Sequence, residues 1–171
     1  AKAVNFGIVY GISDYGLSRN LNIPRKTAKS YIDKYLESYP KISEYMDTIV
    51  KETKKLGYVE TIFHRRRYVP EINSKNFTIR SQAERITLNT PIQGSAADII
   101  KVAMVKVYNR LKKEKLKSQI ILQIHDELII ETFEDELDQV KKILKEEMEN
   151  AVKLDVDLIA EVESGDSWYE V

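Results

Sequence analysis

Three polar residues stand in a row at His125-Asp126-Glu127, inside the apolar stretch SQIILQIHDELIIE that spans residues 118–131. Apolar strands on both sides would hold such a triplet rigidly at a turn. A carboxylate there is exposed yet fixed, which suits a hard divalent cation. The same residue types are ordinary in hairpin turns, so the triplet alone leaves both readings open. A second group lies at Lys2, Phe6 and Tyr10, four residues apart and therefore on one face of any helix that carries them. Lysine offers a point charge to phosphate, and a ring offers a stacking surface. A core stripe with a snorkelling lysine has the same spacing. A third group is Arg85-x-x-x-Asn89-x-Pro91-Ile92-Gln93-Gly94-Ser95-Ala96-Ala97-Asp98. Arg, Asn and Gln hydrogen-bond backbone phosphates and minor-groove acceptors, although a helix–loop–helix junction also uses them. Arg65-Arg66-Arg67 is either a phosphate-binding patch or a solvated charged loop.

The elements that must position these groups follow from periodicity and breakers. A helix is expected from Ala1 to Tyr10, loosening at Gly7 and Gly11. Asn22-Ile23-Pro24 reads as a helix start, and Ala28, Tyr31, Ile32, Tyr35 and Leu36 recur at helical spacing over 25–38. Pro40 restarts the chain into a helix that Gly57 ends. Tyr58 to Phe63 alternates and, with Arg67-Tyr68-Val69, predicts a short hairpin. A helix from Phe77 to about Leu88 is expected to break before Pro91. Ser95 then opens a long helix to about Lys113, its spacing to Asp98 resembling a capping box. Two strands follow around the 125–127 turn. An amphipathic helix from about Glu134 to Val152 carries Leu137, Val140, Leu144, Met148 and Ala151 on its apolar stripe. Val156, Leu158, Ala160 and Val162 alternate as a half-exposed strand. The fold class is therefore α+β, a helical lobe joined to a lobe with an antiparallel hairpin packed on helices.

Bulk properties narrow the classes. The 171 residues contain no cysteine, which excludes disulfides, thiolate metal sites and cysteine nucleophiles. Apolar residues are 43% and charged residues 32%, as in a globular chain rather than a disordered one. No apolar run is long enough to span a bilayer and nothing resembles a secretory signal, so no membrane partner and an intracellular location are expected. Net charge is zero, so any nucleic-acid contact has to come from a local patch. The first residue is Ala1 and already reads as helix, which suggests a piece of a longer chain.

Taken in order, the motifs resemble those of family A DNA polymerases, the bacterial DNA polymerase I type, over nearly the whole sequence. Residues 2–11, KAVNFGIVYG, resemble motif B on the fingers helix. The RxxxNxPIQGSAAD segment from Arg85 resembles the stretch leading into the palm, and QIHDELIIE from Gln123 resembles motif C. YVETIF, RRRYVPEI and the ending SGDSW are also similar to the family.

The resemblance implies a fingers portion over 1–78 and a palm portion over 79–171. It implies that Lys2 contacts the incoming triphosphate and protonates the leaving pyrophosphate, that Phe6 packs on the nucleotide, and that Tyr10 occupies the templating-base position. Phe rather than Tyr at position 6 is associated in the family with excluding dideoxynucleotides. Arg85, Asn89 and Gln93 match positions lining the primer–template, and His125 one beside the primer terminus. Asp126 matches a ligand of two Mg2+ ions, with Glu127 as the adjacent acid. Arg65, Arg66 and Arg67 are placed on template phosphates, although His64 replaces the more usual glycine before them. The implied partners are primer–template DNA, deoxynucleoside triphosphates and the rest of the polymerase, and the implied location is the cytoplasm, at the nucleoid.

Two-metal phosphoryl transfer needs a second aspartate opposite Asp126. The family takes it from motif A, an Asp-Tyr-Ser-like strand upstream of motif B. Asp14-Tyr15-Gly16 lacks the serine and lies downstream instead. The expectation is thus a polymerase segment that acts with an upstream segment and the thumb. The alternatives are a catalytically inactive primer–template-binding fragment and a relative of single-subunit RNA polymerases.

Overall fold

The computed structural model describes residues 2–170, with side chains from Val4 onward. The chain divides into two compact units, residues 1–95 and 96–171.

The first unit opens with helix α1 (Lys2–Val9), which ends where Gly11 turns at φ 74. Helix α2 (Asp14–Leu21) has no counterpart in the sequence reading. It is short, but Ser13 caps it by accepting from the Gly16 N–H, Asn22 closes it at φ 52, and Leu17 is fully buried. Helix α3 (Arg25–Ser38) begins directly after Pro24, and α4 (Pro40–Leu56) ends at Gly57 with φ 80, as expected from the prolines and the glycine. Strands β1 (Tyr58–Glu60) and β2 (Arg66–Tyr68) pair antiparallel, with Tyr58 opposite Tyr68 and Glu60 opposite Arg66. Val59, Val69, Ile72 and Ala83 form the core beneath them, with Ile49 and Ile86 packed alongside.

Helix α5 (Phe77–Lys113) corrects the expected break: it runs through Pro91 without interruption. Proline removes the hydrogen bond to the carbonyl four residues back and normally kinks or ends a helix. Burial on either side of it holds the helical path here, with Thr87, Leu88 and Thr90 before it and Ser95 and Asp98 after it all in the interior. The Thr90 hydroxyl donates to the Ile86 carbonyl at 2.7 Å, using a carbonyl in the disturbed turn. The expected capping box at Ser95 fails for the same reason. Ser95 is in mid-helix, and its hydroxyl accepts from the Ile62 N–H of the hairpin turn.

The second unit begins within α5 and continues into strands β3 (Gln119–Ile124) and β4 (Glu127–Glu131), an antiparallel pair with a bulge between Ile120 and Leu122. A 3₁₀ turn (Glu134–Glu136) leads into α6 (Leu137–Glu149). Ile100, Val107, Leu111, Leu128, Val140 and Ile143 form one core, flanked by Met104, Leu144 and Met148. Ile143 belongs to it although the apolar stripe read from the sequence omitted it. The strand expected over Val156–Val162 does not form among the described residues. Strand geometry needs a partner ladder. Here Val156 and Ile159 are exposed, and the Ala160 N–H instead meets the Glu149 carboxylate. No helix among the described residues is long and apolar enough to cross a membrane.

Glu136 ties the start of β3 in place. Its carboxylate accepts from the Lys117 and Ser118 N–H groups and from the Ser118 hydroxyl, at 2.6 to 3.1 Å. The Lys117 N–H, followed by the Ser118 hydroxyl, holds the Glu136 carboxyl below the usual carboxylate range. A depressed folded-state pKa adds stability above the unfolded value, about pH 4.3, and that stability is lost as the pH falls through the folded value. Urea midpoints measured from neutral pH downward are therefore expected to fall less steeply in Glu136→Gln than in the parent below pH about 4. Parallel curves would show that the cap contributes nothing.

Candidate functional site

The candidate residues of the first unit lie along α1, α5 and the β1–β2 hairpin. Phe6 on α1 and Tyr10 in the turn after it stack with ring centroids 6.3 Å apart and 21° between planes, so these two of the three expected residues share a face. Phe6 is about half exposed. The role expected of Lys2 falls on a side chain outside the described residues. The α1 corner packs against α5: a Cβ on Gly11 would stand 2.8 Å from Leu88 Cδ1 and 3.7 Å from Arg85 Cγ. Glycine is favoured there by its positive φ, and any side chain would displace the Leu88 methyl group. That contact brings the end of the aromatic face beside Arg85.

Arg85, Asn89 and Gln93 follow one another at four-residue spacing along α5. Arg85 and Gln93 are exposed, and Asn89 is half-buried. The Asn89 Oδ1 atom is buried without a hydrogen-bond partner. A buried acceptor left unpaired is costly, so this amide is a ready point for a polar ligand.

One helical turn further along, Gly94 and Ser95 meet the hairpin turn. Thr61 Oγ1 accepts from the Phe63 and Arg65 N–H groups, each at 3.2 Å, and the Arg65 carbonyl accepts from the Thr61 N–H at 3.0 Å. His64 adopts φ 60. The loop thus takes a left-handed conformation with a histidine in it, and His64 Nδ1 lies 3.2 Å from the Glu60 carboxylate. Arg65, Arg66 and Arg67 are all exposed, but they are not equivalent. Arg66 pairs with Glu60 at 2.8 Å and lies over the Tyr58 ring at 4.5 Å. That guanidinium, and then His64, holds the Glu60 carboxyl below its ordinary value. Sequence reasoning missed Glu60 as a partner, because the pairing that sets it opposite Arg66 follows from a register that the sequence does not state.

In the second unit the β3–β4 register pairs Ile124 with Glu127, so the connecting loop is only His125 and Asp126. His125 sits at φ 49, a left-handed conformation that histidine tolerates better than most side chains. The Gln123 side-chain amide donates to the His125 carbonyl at 2.8 Å and braces the turn. His125, Asp126 and Glu127 are exposed, while Leu128 is buried directly behind them. The hairpin therefore presents Asp126 at its tip on a backbone anchored by the core. Among the described residues no group of three His, Cys, Asp or Glu side chains gathers to hold a metal ion. The donors present are Asp126 and Glu127. One or two carboxylates are what Mg2+ takes from a protein when substrate phosphates complete its shell.

The fold is that of part of a nucleic-acid polymerase domain. It matches the POL domain of Pol1 from M. smegmatis, solved in complex with DNA primer-template and dNTP, with a TM-score of 0.89 and 44% identity, over 92% of this chain and 28% of that one. The chain belongs to DNA polymerase family A, whose family model matches residues 1–170. It is 59% identical over 170 residues to DNA polymerase I of Caldicellulosiruptor bescii, covering 99% of this chain and 20% of that protein. It is 57% identical to DNA polymerase I of Bacillus subtilis, covering 19% of that protein. The chain thus spans about one fifth of the length of the curated relatives it matches.

Proposed function

We propose that this chain forms part of the polymerising centre of a DNA-directed DNA polymerase, with fingers over 1–78 and palm over 79–171. The observation that carries the proposal is an exposed aspartate fixed at the tip of a two-residue hairpin, in a chain that matches family A along its length. In the reaction, the primer 3′-hydroxyl oxygen bonds to the α-phosphorus of a deoxynucleoside triphosphate, and the bond to pyrophosphate breaks. Asp126, with Glu127 beside it, would hold Mg2+ together with an aspartate from an upstream segment. Two such ions, when bound, lower the barrier by activating the attacking oxygen and neutralising the leaving one. Phe6 and Tyr10 form the surface for the nucleotide and templating base, and Lys2 takes the triphosphate and gives a proton to the leaving group. Arg85, Asn89, Gln93 and His125 line the primer–template. A location in the cytoplasm at the nucleoid accords with this role.

The test is primer extension in the presence of Mg2+, with the chain alone and joined to an upstream segment carrying an Asp-Tyr-Ser strand. Extension only with that segment is expected, and no extension in either form would reject the proposal. The arginine patch has its own measurement. Arg67→Ala is expected to weaken primer–template binding for all sequences alike and to lower the slope of log K against log salt by about one. Fluorescence anisotropy across a salt series reads both quantities, and an unchanged slope would remove Arg67 from the phosphate contacts.

A further inference from the structure

Two groups assigned above to DNA, the arginine hairpin and the Arg85–Gln93 face of α5, are well separated in sequence but meet at one small buried joint, whose Ile62–Ser95 bond spans 33 residues. Thr61, on the hairpin side, and Ser95, on the helix side, are 6% and 7% exposed, whereas every side chain from Ile62 to Tyr68 is exposed. The Ser95 hydroxyl accepts from the Ile62 N–H at 3.0 Å. Thr61 then organises the rest of the turn through the bonds to Phe63 and Arg65 and through its carbonyl, which accepts from the His64 N–H at 2.9 Å. Between them the backbone of α5 comes so close that a Cβ on Gly94 would stand 2.7 Å from Thr61 Cγ2. Real Cβ atoms do not tolerate that distance, so only glycine lets the turn seat on the helix.

We propose that Thr61, Gly94 and Ser95 form a latch that fixes the Arg65–Arg67 turn to the middle of α5 beside Gln93, so that both present phosphate- and base-contacting groups in one register. They are positioning residues, since the Thr61 and Ser95 hydroxyls are spent inside the joint and Gly94 has no side chain. The proposal rests on the reading that the arginines and Gln93 face DNA. Without the latch the exposed turn would still carry its charges, but on a chain free to move relative to the helix, and each phosphate contact would then have to order the turn as it formed.

Four variants of the 171-residue chain test it, two by primer–template binding read by anisotropy at several salt concentrations and two by hydrogen exchange. Gly94→Ala is expected to weaken binding about tenfold and to flatten the salt slope by about one. Adding Thr61→Ser removes Cγ2 but keeps the hydroxyl, and is expected to restore most of that affinity, which places the defect at the Gly94–Thr61 contact. Ser95→Ala is expected to speed hydrogen exchange at the Ile62 amide about tenfold or more, while Ser95→Thr keeps it slow. The exchange measurement needs no DNA. An unchanged Ile62 amide in Ser95→Ala, or a Gly94→Ala defect that Thr61→Ser leaves untouched, overturns the latch while leaving the function reading intact. If Arg67→Ala and Gly94→Ala both leave affinity and slope unchanged while Ile62 exchange responds, the DNA-facing reading of the hairpin falls, and with it the latch's role in binding.

Discussion

Replacing Asp126 by alanine in a polymerase that contains this chain is expected to lower the rate of primer extension about a thousandfold or more, while primer–template affinity stays within about threefold. Asp126 sits at the end of a short, braced hairpin, with Leu128 buried behind it and the Gln123 amide on the neighbouring carbonyl. Such a carboxylate contributes little to folding, because it is exposed. Its loss should therefore fall on chemistry. Removing one of two carboxylates that hold a catalytic metal forfeits several kcal/mol of transition-state stabilisation, and about 4 kcal/mol corresponds to a thousandfold. Binding should hold or improve slightly, since a negative charge near phosphates is gone. Asp126→Glu keeps the charge but lengthens the side chain, and should recover only a small part of the rate. Glu127→Ala is the internal comparison. If Glu127 is the secondary acid, its loss costs far less than that of Asp126. Extension that survives Asp126→Ala would end the catalytic assignment. Equal losses at both positions would instead make the two acids a joint ligand set.

The parts of the fold that the sequence made legible are those fixed by local chemistry. Pro40 and Gly57 bound α4 because one pre-sets the helical φ and the other takes the left-handed cap. The β3–β4 hairpin follows from two apolar runs around a polar centre, and the His125–Asp126 turn falls where the motif set it. What could not be read was set by packing. Pro91 reads as a break, yet α5 passes through it because the interior closes around Thr87, Leu88 and Thr90. Ser95 reads as a cap, but its hydroxyl serves a backbone N–H thirty-three residues away, a pairing no local window contains. Helix α2 was missed because eight residues carry too little periodicity, although Ser13 and Asn22 mark its ends. Val156–Val162 shows the reverse error. Its alternation is real, but alternation states only which faces a strand would have, and no partner strand pairs with it among the described residues. The candidate site divides in the same way. Its chemically distinctive residues were visible as types and spacings, whereas the contacts that Glu60, Thr61 and Gly94 make lie between segments far apart in sequence or across a turn, and residue type alone does not announce them.

The second large effect is structural and bears on the same turn. Ile143→Ala is expected to destabilise the chain by about 3 kcal/mol, and Ile143→Val by about 1. Ile143 is 1% exposed and lies in one cluster with Val107, Leu111, Val140 and Leu128. Truncation removes buried methyl groups and leaves a cavity that neighbours on a helix and a paired strand cannot readily collapse into. Leu128 joins that cluster to the hairpin, since it follows Glu127 and is two residues from Asp126. A cavity beneath Leu128 should therefore loosen the register of β4 before it unfolds α6, and the amides of Gln123 and Leu128, which face each other across the pair, should lose protection early. Urea unfolding measures the first effect and hydrogen exchange the second. A loss below about 1 kcal/mol in Ile143→Ala would mean that the core repacks around the smaller side chain. Full destabilisation with unchanged hairpin protection would show instead that the turn is held by its own ladder and by Gln123. In that case the precision with which Asp126 is presented would be a property of the hairpin alone, independent of the core beneath it.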